Sequence, residues 1–549
     1  MALTPDAKNA LIAFSRFGLG ARSGNVSGDF AKAAADPRGF LKAELDSSKA
    51  LIASPELMVT RTNLVALYAD QEETKRRREA NLTAAPKSGG PALANMAPAL
   101  GVPAASAPAV AMNAGSMNPG SMNPGGMNPG TMNAPAMNSG ANDMMMPKAD
   151  MAMQPRPDTA KMEAGKVDMA KPDAAKRKLS MEQEIFRSEA LARFQHAIAA
   201  EAGLIDRLVW FWSNHFCVSV AKSQFSRVTA GNLEREAIRP HVLGHFGEML
   251  KAVEQHPAML HYLDNQQSVG PNSKAGQNRK KGLNENLARE IMELHSLGVG
   301  GGYSQADVTS LARIITGWSV HGREVKNAEP GTFAFNANAH EPGDQTVLGK
   351  VYAANGIAQG EAVLSDLARH KATAKHIAFK LARHFVADVP PASLVERLSQ
   401  VFLQSDGDLK AVTLALLDAD EAWNAPLTKL RSPAEFLVAV ARATGRNMDD
   451  PGQLLNGLNA LGQPLWQPSG PNGFGDTVDT WASAEGMKLR LDVASNLARQ
   501  VKDLGNPLDV LDAVSGAAAS SLTKEAIARA ESKQQGFAIL LMSPEFQRR

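Results

Sequence analysis

The sequence predicts a mostly α-helical protein, a large multi-helix domain that carries a minor β-hairpin and a long disordered insertion. Apolar residues recur every three or four positions through much of the chain, which is the spacing of one buried helix face. Two short runs near residues 332–348 alternate instead, and one long segment has a low-complexity composition. With 44% hydrophobic residues and a mean hydropathy of -0.22, the composition is that of a soluble globular protein.

Composition also excludes several classes of protein. The 58 basic residues nearly balance the 56 acidic ones, and the one tight basic run, at 75–78, borders the low-complexity segment, so no nucleic-acid binding is predicted. A single cysteine, Cys217, excludes an internal disulfide and a cysteine-based zinc site, and its aromatic neighbours predict a buried structural thiol. No run of 18 apolar residues occurs, so no membrane span is predicted.

Four segments follow from the order of these patterns. Residues 1–83 are predicted to form an N-terminal helical segment, and residues 84–175 a disordered linker rich in Met, Pro, Gly and Asn. Residues 176–445 are predicted to form the central helical core, on which a C-terminal helical segment, residues 446–549, packs. We expect the linker to be disordered because it cannot bury enough apolar area to offset the entropy of ordering.

The linker contains a five-residue repeat that begins with Met-Asn. It places six methionines in step: Met112, Met117, Met122, Met127, Met132 and Met137. Thioethers at regular spacing on a flexible chain can bind Cu(I). The preferred interpretation is a linker that arose by replication slippage, in which the methionines are incidental.

An aromatic segment at residues 204–220 is predicted to be core, because Trp210, Trp212 and their neighbours would each bury a large surface. Asn214 and His215 interrupt this apolar wall and therefore need polar partners. His215 is either a satisfied core histidine, which is the preferred interpretation, or a ligand or proton carrier.

The stretch from residue 284 to residue 318 has the densest set of polar candidates. Leu287, Ile291 and Leu294 form one apolar helix stripe, and the opposite face carries the polar side chains of Asn286, Glu290 and Glu293. Arg289 can reach acidic residues four positions away on either side. Gly298 is predicted to end this helix, and Ser304 to cap a second helix that runs to about Thr316.

Polar loops supply further candidate binding residues. Asp264 and Asn265 introduce a Gly-rich loop that leads into the central helix, and such loops are common binding sites. His340 lies in a later loop with Glu341 and Asp344, where a metal or substrate contact competes with a loop held by side-chain hydrogen bonds. The candidate binding residues are Asn214, Asp264, Asn265, Asn284, Asn286, His295, Trp318 and His340.

Two further patterns follow the central stretch. Alternation at 332–335 and 346–348 predicts a small hairpin between these runs. The strongly periodic helix that follows, near residues 366–388, carries Lys380, Arg383 and His384 beside its apolar stripe. A third pattern, His241, His245 and Glu248, has metal-ligand spacing, although exposed helix residues are the preferred interpretation.

Several blocks together resemble a known family. NENLAREIMELHSLGVGGGYSQADVTSLARIITGW, FSRFGLGAR, WFWSNHF, HPAMLHYLDN, HEPGDQTVLGK and ATAKHIAFKLARHFV resemble the signature of the bacterial domain-of-unknown-function family 1800. The resemblance implies a mostly helical protein that is often encoded beside family 1501, an exported sulfatase-like or phosphatase-like family. It also implies a protein partner, and no settled activity.

Two function classes remain open. The preferred hypothesis is an accessory or binding partner of the exported sulfatase-like protein. The alternative is a metal-dependent or acid/base hydrolase, in which Glu290, Glu293, Arg289 and His215 line one polar pocket and share a proton or a metal ion. Whether the protein is an enzyme, and which cofactor it would use, stays open.

Two cellular locations are predicted as alternatives. No signal is visible near the N-terminus, so a cytoplasmic location is predicted first. The alternative is the periplasm, reached as a passenger on the exported partner. That route would need an apolar docking surface, for which the segments near Trp423, Trp466 and Trp481 are candidates.

The first prediction is that deleting residues 84–175 leaves a cooperatively folded protein, because the segment contributes little apolar burial. Thermal unfolding of the deletion variant is expected to keep one cooperative transition. Loss of that transition, measured beside the full chain in the same buffer, would show that the segment belongs to the fold.

Overall fold

Helices account for most of the protein in this computed structural model, which describes residues 5–23, 29–84, 179–277, 282–323, 329–500 and 505–549. The predicted mostly helical fold is confirmed. The predicted disordered insertion, residues 84–175, lies outside the described residues apart from Ala84. Within the described ranges, no helix is both long enough and apolar enough to cross a bilayer.

Helices before the first strand fall into two groups. The N-terminal group is α1 (Pro5–Ile12), α2 (Asp29–Ala35), α3 (Pro37–Lys42) and α4 (Thr60–Ala84), with a π-helix at Ala13–Phe17 and a 3-10 helix at Ser47–Ala50. The second group is α5 (Met181–Ala199), α6 (Leu204–His215), α7 (Gln224–Asn232), α8 (Phe246–Glu254), α9 (Pro257–Tyr262), α10 (Lys274–Gln277), α11 (Asn286–Glu290) and α12 (Gln305–Ile314). Short π and 3-10 turns lie between them at Leu233–Ile238, Arg239–His241, Asn265–Gln267 and Ile291–His295.

Four short strands precede the remaining helices. They are β1 (Trp318–Val320), β2 (Phe333–Phe335), β3 (Gln345–Val347) and β4 (Lys350–Tyr352). The helices that follow are α13 (Ile357–Ala368), α14 (Lys371–Phe385), α15 (Ala392–Gln404), α16 (Leu409–Asp418), α17 (Asp420–Asn424), α18 (Pro433–Thr444), α19 (Pro451–Ala460), α20 (Val478–Trp481), α21 (Ala484–Gln500), α22 (Pro507–Ser515), α23 (Ser521–Ala528), α24 (Lys533–Met542) and α25 (Pro544–Gln547), with a 3-10 turn at Gly516–Ala518.

The strands form two hairpins, so the predicted pairing of the two alternating runs is wrong. β2 pairs antiparallel with β1, with Trp318 opposite Phe335, and β3 pairs antiparallel with β4. Leu348 and Gly349 join β3 to β4, and both have positive φ, as a two-residue hairpin turn requires. Local turn geometry therefore selects β4 as the partner of β3.

Helix starts follow the predicted capping residues. The Oγ of Ser304 accepts a hydrogen bond from the backbone N–H of Asp307 at 3.3 Å, and Asp307 Oδ2 accepts one from the N–H of Ser304 at 2.8 Å. This capping box satisfies two donors at the start of α12. Ser180 is the N-cap of α5.

The central helix changes its winding where it meets α14. α11 continues as the π-helix Ile291–His295, and Leu287 and Ile291 of the predicted apolar stripe are fully buried. Gly298 then has φ +84, and a Cβ at this position would lie 2.7 Å from Nδ1 of His376 on α14. Glycine is therefore required at this close approach.

The main apolar core is shared by the N-terminal, central and C-terminal helices, and buried arginines tie these parts together. Arg442 near the end of α18 donates to backbone carbonyls of Gly20, Ala200 and Glu201, each at 2.6 Å. Carbonyls at the end of α5 have no partner within their own helix. The guanidinium group of Arg442 therefore caps α5 and fastens the N-terminal segment to α18.

The second prediction concerns this buried guanidinium. Arg442→Met is expected to lower the free energy of unfolding by about 3 kcal/mol or more, because several charge-assisted hydrogen bonds are lost and buried carbonyls are left unpaired. Urea unfolding measures the change. The control is Arg446→Met just beyond the same helix, where the side chain is exposed and the expected change is within about 0.5 kcal/mol. Equal effects of the two substitutions would contradict the assignment.

Candidate functional site

A cavity of ≈ 260 Å³ lies where α6, α14 and the start of α18 meet the loop between α19 and α20. Its apolar wall consists of five aromatic side chains: Trp210, Phe211, Trp466, Phe474 and Trp481. Its polar side is formed mainly by residues of α14 and by the ends of α6 and α18. The cavity therefore combines an aromatic surface with a concentrated set of charges.

Asn214 holds one wall of the cavity in place. Its Nδ2 donates to the carbonyl of Phe474 at 2.9 Å, and its Oδ1 accepts from the N–H of Phe474 at 2.8 Å. Gly473, with φ +76, approaches so closely that a Cβ would lie 2.4 Å from the carbonyl oxygen of Asn214. The end of α6 therefore positions the loop that carries Phe474 and Asp476.

Glu435 is buried between two arginines behind the cavity. Its Oε1 lies 3.0 Å from Nε of Arg207, and its Oε2 lies 3.0 Å from Nε of Arg549. Oε2 also accepts from the N–H of Ser432 at 2.8 Å and so caps α18. Burial alone would raise the pKa of Glu435, but Arg207 and Arg549 lower it to about 2.

Asp476 is the second carboxylate of the cavity, and both of its oxygens are engaged. Oδ1 accepts from Nη2 of Arg549 at 3.0 Å, and Oδ2 lies 2.9 Å from Nδ1 of His384. Burial would raise the pKa of Asp476, but His384, Arg549 and Lys429 outweigh burial and place it well below its usual range. Asp476 is therefore a charged, fully paired group.

His384 is a neutral histidine whose partners determine its tautomer. Nδ1 faces the Asp476 carboxylate, whereas Nε2 lies 3.3 Å from Nη2 of Arg207, which can only donate. The proton therefore resides on Nδ1, and Nε2 accepts. Burial lowers the pKa of His384 to about 4, which agrees with a neutral ring at pH 7.

Lys380 contacts His215 at the end of α6. Its Nζ lies 2.8 Å from Nδ1 of His215, and Nε2 of His215 donates to the carbonyl of His295 at 3.2 Å. The imidazole therefore carries its proton on Nε2 and presents the Nδ1 lone pair to the amine. Burial, followed by Lys380 and His295, lowers the pKa of His215 well below its ordinary value, and burial lowers the pKa of Lys380 to about 8.

Lys380 and Arg383 are the cations of the cavity that lack a carboxylate partner. Within the described residues, no acidic side chain lies within ion-pair distance of either one, although Arg193 and Arg549 are both paired. Arg383 donates through Nε to the carbonyl of Asp388 at 3.0 Å, and its guanidinium carbon lies 4.4 Å from the ring centroid of Phe379. Four cations and two carboxylates line the cavity, which leaves an excess of two positive charges with the histidines neutral.

Cys217 also lines the cavity, but as a poor nucleophile. Its Sγ donates to the carbonyl of Pro471 at 3.2 Å, and burial raises the pKa of its thiol to about 12. The thiol is therefore protonated at neutral pH. The predicted buried structural role fits this environment.

The sequence-predicted candidates divide between this cavity and other places. Asn214 and His215 line it. His295 lies one layer behind, where its Nδ1 contacts Oε1 of the buried Glu254 at 2.7 Å and its carbonyl accepts from His215. The structure thus brings two of the predicted residues into the cavity and a third into contact with it.

The acidic face of the central helix lies outside the cavity lining. Glu290 and Glu293 are half-buried, and burial raises the pKa of Glu290. Arg289 is partly exposed and pairs with Glu285 at 3.3 Å, rather than with the other two carboxylates. These three residues form a separate polar surface.

Loop candidates are held by hydrogen bonds to the backbone or by surface ion pairs. Asn265 is buried and its Nδ2 donates to the carbonyls of Ile315 and Trp318, while Asn284 donates to those of Leu263 and Asp264. Asp264 forms an ion pair with Lys222 at 2.6 Å. These contacts stabilise the loop between α9 and α11.

Three further candidates lie away from the cavity. Trp318 is fully buried in the core, and His340 lies 3.0 Å through Nδ1 from the carbonyl of Thr316. Asn286 is exposed, and its N–H donates to Oδ1 of Asn284. Their contacts are those of packing and capping residues.

Sequence reasoning identified Lys380, Arg383 and His384 as polar residues beside an apolar stripe but assigned them to no site. It missed Glu435 and Asp476 entirely. The sequence did carry a signal for the three residues on α14. Lys380 lies three positions before Arg383 and four before His384, and residues at these spacings lie on one face of a helix. No comparable local signal marks Glu435 or Asp476, which lie on other segments.

No group of three or more His, Cys, Asp or Glu side chains in the described ranges is arranged to hold a metal ion. At the His241, His245 and Glu248 pattern, His245 is the N-cap of α8, and its Nδ1 lies 3.0 Å from the carbonyl of Asp406. The donor set of the cavity, which is cationic and aromatic, suits an anion better than a metal.

The comparisons with known proteins agree with the resemblance seen in the sequence. The model of the family described as "Protein of unknown function (DUF1800)" matches residues 12–548. No curated protein and no solved structure matches the chain significantly.

A third prediction follows from the two depressed carboxyl pKa values. Glu435 titrates at about 2 in the folded protein and at about 4 when unfolded, so its ion pairs stabilise the fold above about pH 4 and lose this effect as the pH falls towards 2. Glu435→Gln is expected to cost about 3–5 kcal/mol at pH 7, because the buried Arg207 loses its carboxylate partner and the buried Arg549 loses one of its two.

Urea unfolding as a function of pH measures this effect. The difference between the wild type and Glu435→Gln is expected to shrink between about pH 4 and pH 2. The control is Glu396→Gln on the exposed face of α15, which should follow the wild type at every pH. A constant difference across this range would contradict the assigned pairing.

Proposed function

The chain belongs to the family of proteins of unknown function DUF1800, and we propose that its cavity binds a small organic anion. The observation that carries this proposal is the pair Lys380 and Arg383, two half-buried cations that line the cavity and have no carboxylate partner in the described chain. Burying a charge is costly unless an opposite charge compensates it. An anionic ligand would supply that charge.

The neighbouring carboxylates do not neutralise these cations, because both carboxylates pair with other groups. Glu435 pairs with Arg207 and Arg549, and Asp476 pairs with Arg549 and His384. Lys380 and Arg383 lie three positions apart on α14, which places them on the same helix face. One acidic group could therefore contact the ammonium and the guanidinium together.

The opposite wall favours a ligand with a ring or another flat apolar part. Trp210, Trp466 and Trp481 line the cavity, and the indole N–H groups of Trp210 and Trp466 have no hydrogen-bond acceptor in the described structure. Trp466 also has φ +47, a strained conformation for a non-glycine residue, and such strain is concentrated at functional sites. Tryptophan walls offer a stacking surface to a flat ligand.

The volume limits the size of the ligand. At ≈ 260 Å³, the cavity is slightly smaller than the range of about 300–1,000 Å³ that is typical of small-molecule sites. A single ring that carries one carboxylate, sulfate or phosphate group is of suitable size. Sulfate and phosphate esters would also match the chemistry of the sulfatase-like or phosphatase-like partner that the family resemblance implies.

Association with that exported partner stays a prediction, as does the choice between the cytoplasm and the periplasm. Trp423, Trp466 and Trp481 were candidates for an apolar docking surface, and their side chains are buried. Ligand binding in the cavity does not depend on which compartment holds the protein.

The hydrolase alternative on the central helix also stays a prediction. One observation favours it: burial raises the pKa of the half-buried Glu290, and a raised pKa helps a carboxylic acid to donate a proton. Glu290 and Glu293 do not line the cavity, however, and their outer face is partly open to solvent. The anion-binding proposal therefore has the stronger geometric support.

The fourth prediction tests the anion site by calorimetric titration of the full chain with phenyl sulfate, phenyl phosphate and benzoate. At least one of these anions is expected to bind, whereas phenol, which is uncharged at pH 7, is not. Lys380→Gln and Arg383→Gln are each expected to weaken binding by about tenfold or more, since a hydrogen bond to a charged group contributes about 1.5–3 kcal/mol.

Lys375→Gln is the matched control, because Lys375 lies on α14 but is exposed and does not line the cavity. It should bind as the wild type does. Failure of all three anions to bind, or unchanged binding by both cavity variants, would overturn the proposal.

A further inference from the structure

The amine of Lys380 is placed for chemistry beyond ion pairing. Nζ lines the cavity, has no carboxylate within ion-pair distance in the described chain, and lies 2.8 Å from the lone pair on Nδ1 of His215. A lysine that serves only as a fixed charge is commonly compensated by an acid. Here the neighbour is a neutral base whose tautomer is fixed by the carbonyl of His295.

We propose that Lys380 is a nucleophile that forms an imine with a carbonyl group of the bound anion, so that the ligand class is an oxo acid or an aldehyde with an acidic group. This inference rests on the proposed anion site. Arg383, three positions along the same helix face, would hold the acidic group while Nζ reaches the adjacent carbonyl carbon. In a 2-oxo acid the carbonyl carbon is bonded directly to the carboxylate carbon. This suits two side chains that lie side by side.

The reaction balances with groups that the cavity provides. The neutral amine of Lys380 attacks the carbonyl carbon, a C–N bond forms, and the carbonyl electron pair moves to the oxygen. Nδ1 of His215 takes a proton from the nitrogen and returns it to the oxygen, which gives a carbinolamine. Nδ1 of His215 then carries the proton that remains on the nitrogen to the hydroxyl group, which leaves as water, so that amine and carbonyl are converted to imine and water with no oxidant or reductant.

Burial favours the neutral form of the amine, whereas the nearby Asp476 carboxylate opposes it. The titratable and charged groups about Lys380 are Arg383 and His376 on α14, His215 and Cys217 at the end of α6, and Asp476 before α20. Burial lowers the pKa of Lys380 to about 8. Compared with an ordinary lysine, whose pKa is about 10.4, the neutral fraction at pH 7 is therefore roughly two hundred times larger.

The fifth prediction is that a reductant traps this imine. The full chain is incubated with pyruvate or glyoxylate and cyanoborohydride, and modified lysines are located by peptide mass spectrometry. Lys380 is expected to be the dominant site, with a rate that rises up to about pH 8 and then levels off, whereas surface lysines continue to gain reactivity towards pH 10. Lys380→Arg should remove this adduct, and Lys375→Arg should leave it unchanged.

His215→Asn provides a readout that a merely structural role would not move. It is expected to slow adduct formation and change its pH profile while binding of a carbonyl-free anion persists. Lactate, which has no carbonyl group apart from its carboxylate, measures that binding by calorimetry.

The outcomes separate the two proposals. If lactate binds and Lys380→Arg retains its binding, but no adduct forms preferentially at Lys380, the imine proposal is wrong and the anion site stands. If neither lactate nor the oxo acids bind or react at Lys380, and the aromatic anions also fail to bind, both proposals fall. Preferential trapping at Lys380 supports both.

Discussion

Burial of Glu435 between Arg207 and Arg549 is the interaction on which the cavity depends. Its carboxylate pairs with both guanidinium groups and also accepts a hydrogen bond from the N–H of Ser432. Glu435 therefore caps the start of α18 and holds two cations in place. Burying these charges costs desolvation energy, and removal of Glu435 would leave Arg207 without a carboxylate partner and Arg549 with Asp476 alone. The orientation of Arg549, and through it that of Asp476, follows from this one group.

Engagement of the two carboxylates explains why the cavity is cationic. Arg207 and Arg549 pair with Glu435, and Arg549 and His384 pair with Asp476, so neither of these lining carboxylates pairs with Lys380 or Arg383 on α14. The neutral state of His384 follows from the same arrangement, since Arg207 occupies its second nitrogen. The charge excess at Lys380 and Arg383 is therefore a consequence of how the structural ion pairs are distributed.

The sequence predicts what local spacing determines. Ser304 starts its helix as expected, and the alternating runs at β2 and β3 are extended. Strand partners and site partners depend on contacts between distant segments, which periodicity does not report. His215 is a candidate because a polar residue in an aromatic wall needs a partner. That partner, Lys380, lies 165 positions further along the chain, so local spacing could not identify it.

The partners of Asp476 determine whether the amine of Lys380 can act as a nucleophile. Were this carboxylate to pair with Lys380, the ammonium form would be stabilised and its nucleophilicity lost. Asp476 instead contacts His384 and Arg549, and the nearest partner of the amine is the lone pair of His215. The same side chain can then attract an anion as a cation and, once a proton leaves, attack a carbonyl group. Both roles depend on the lack of a carboxylate partner for Lys380 among the described residues, together with Arg383 on the same helix and His215 opposite it.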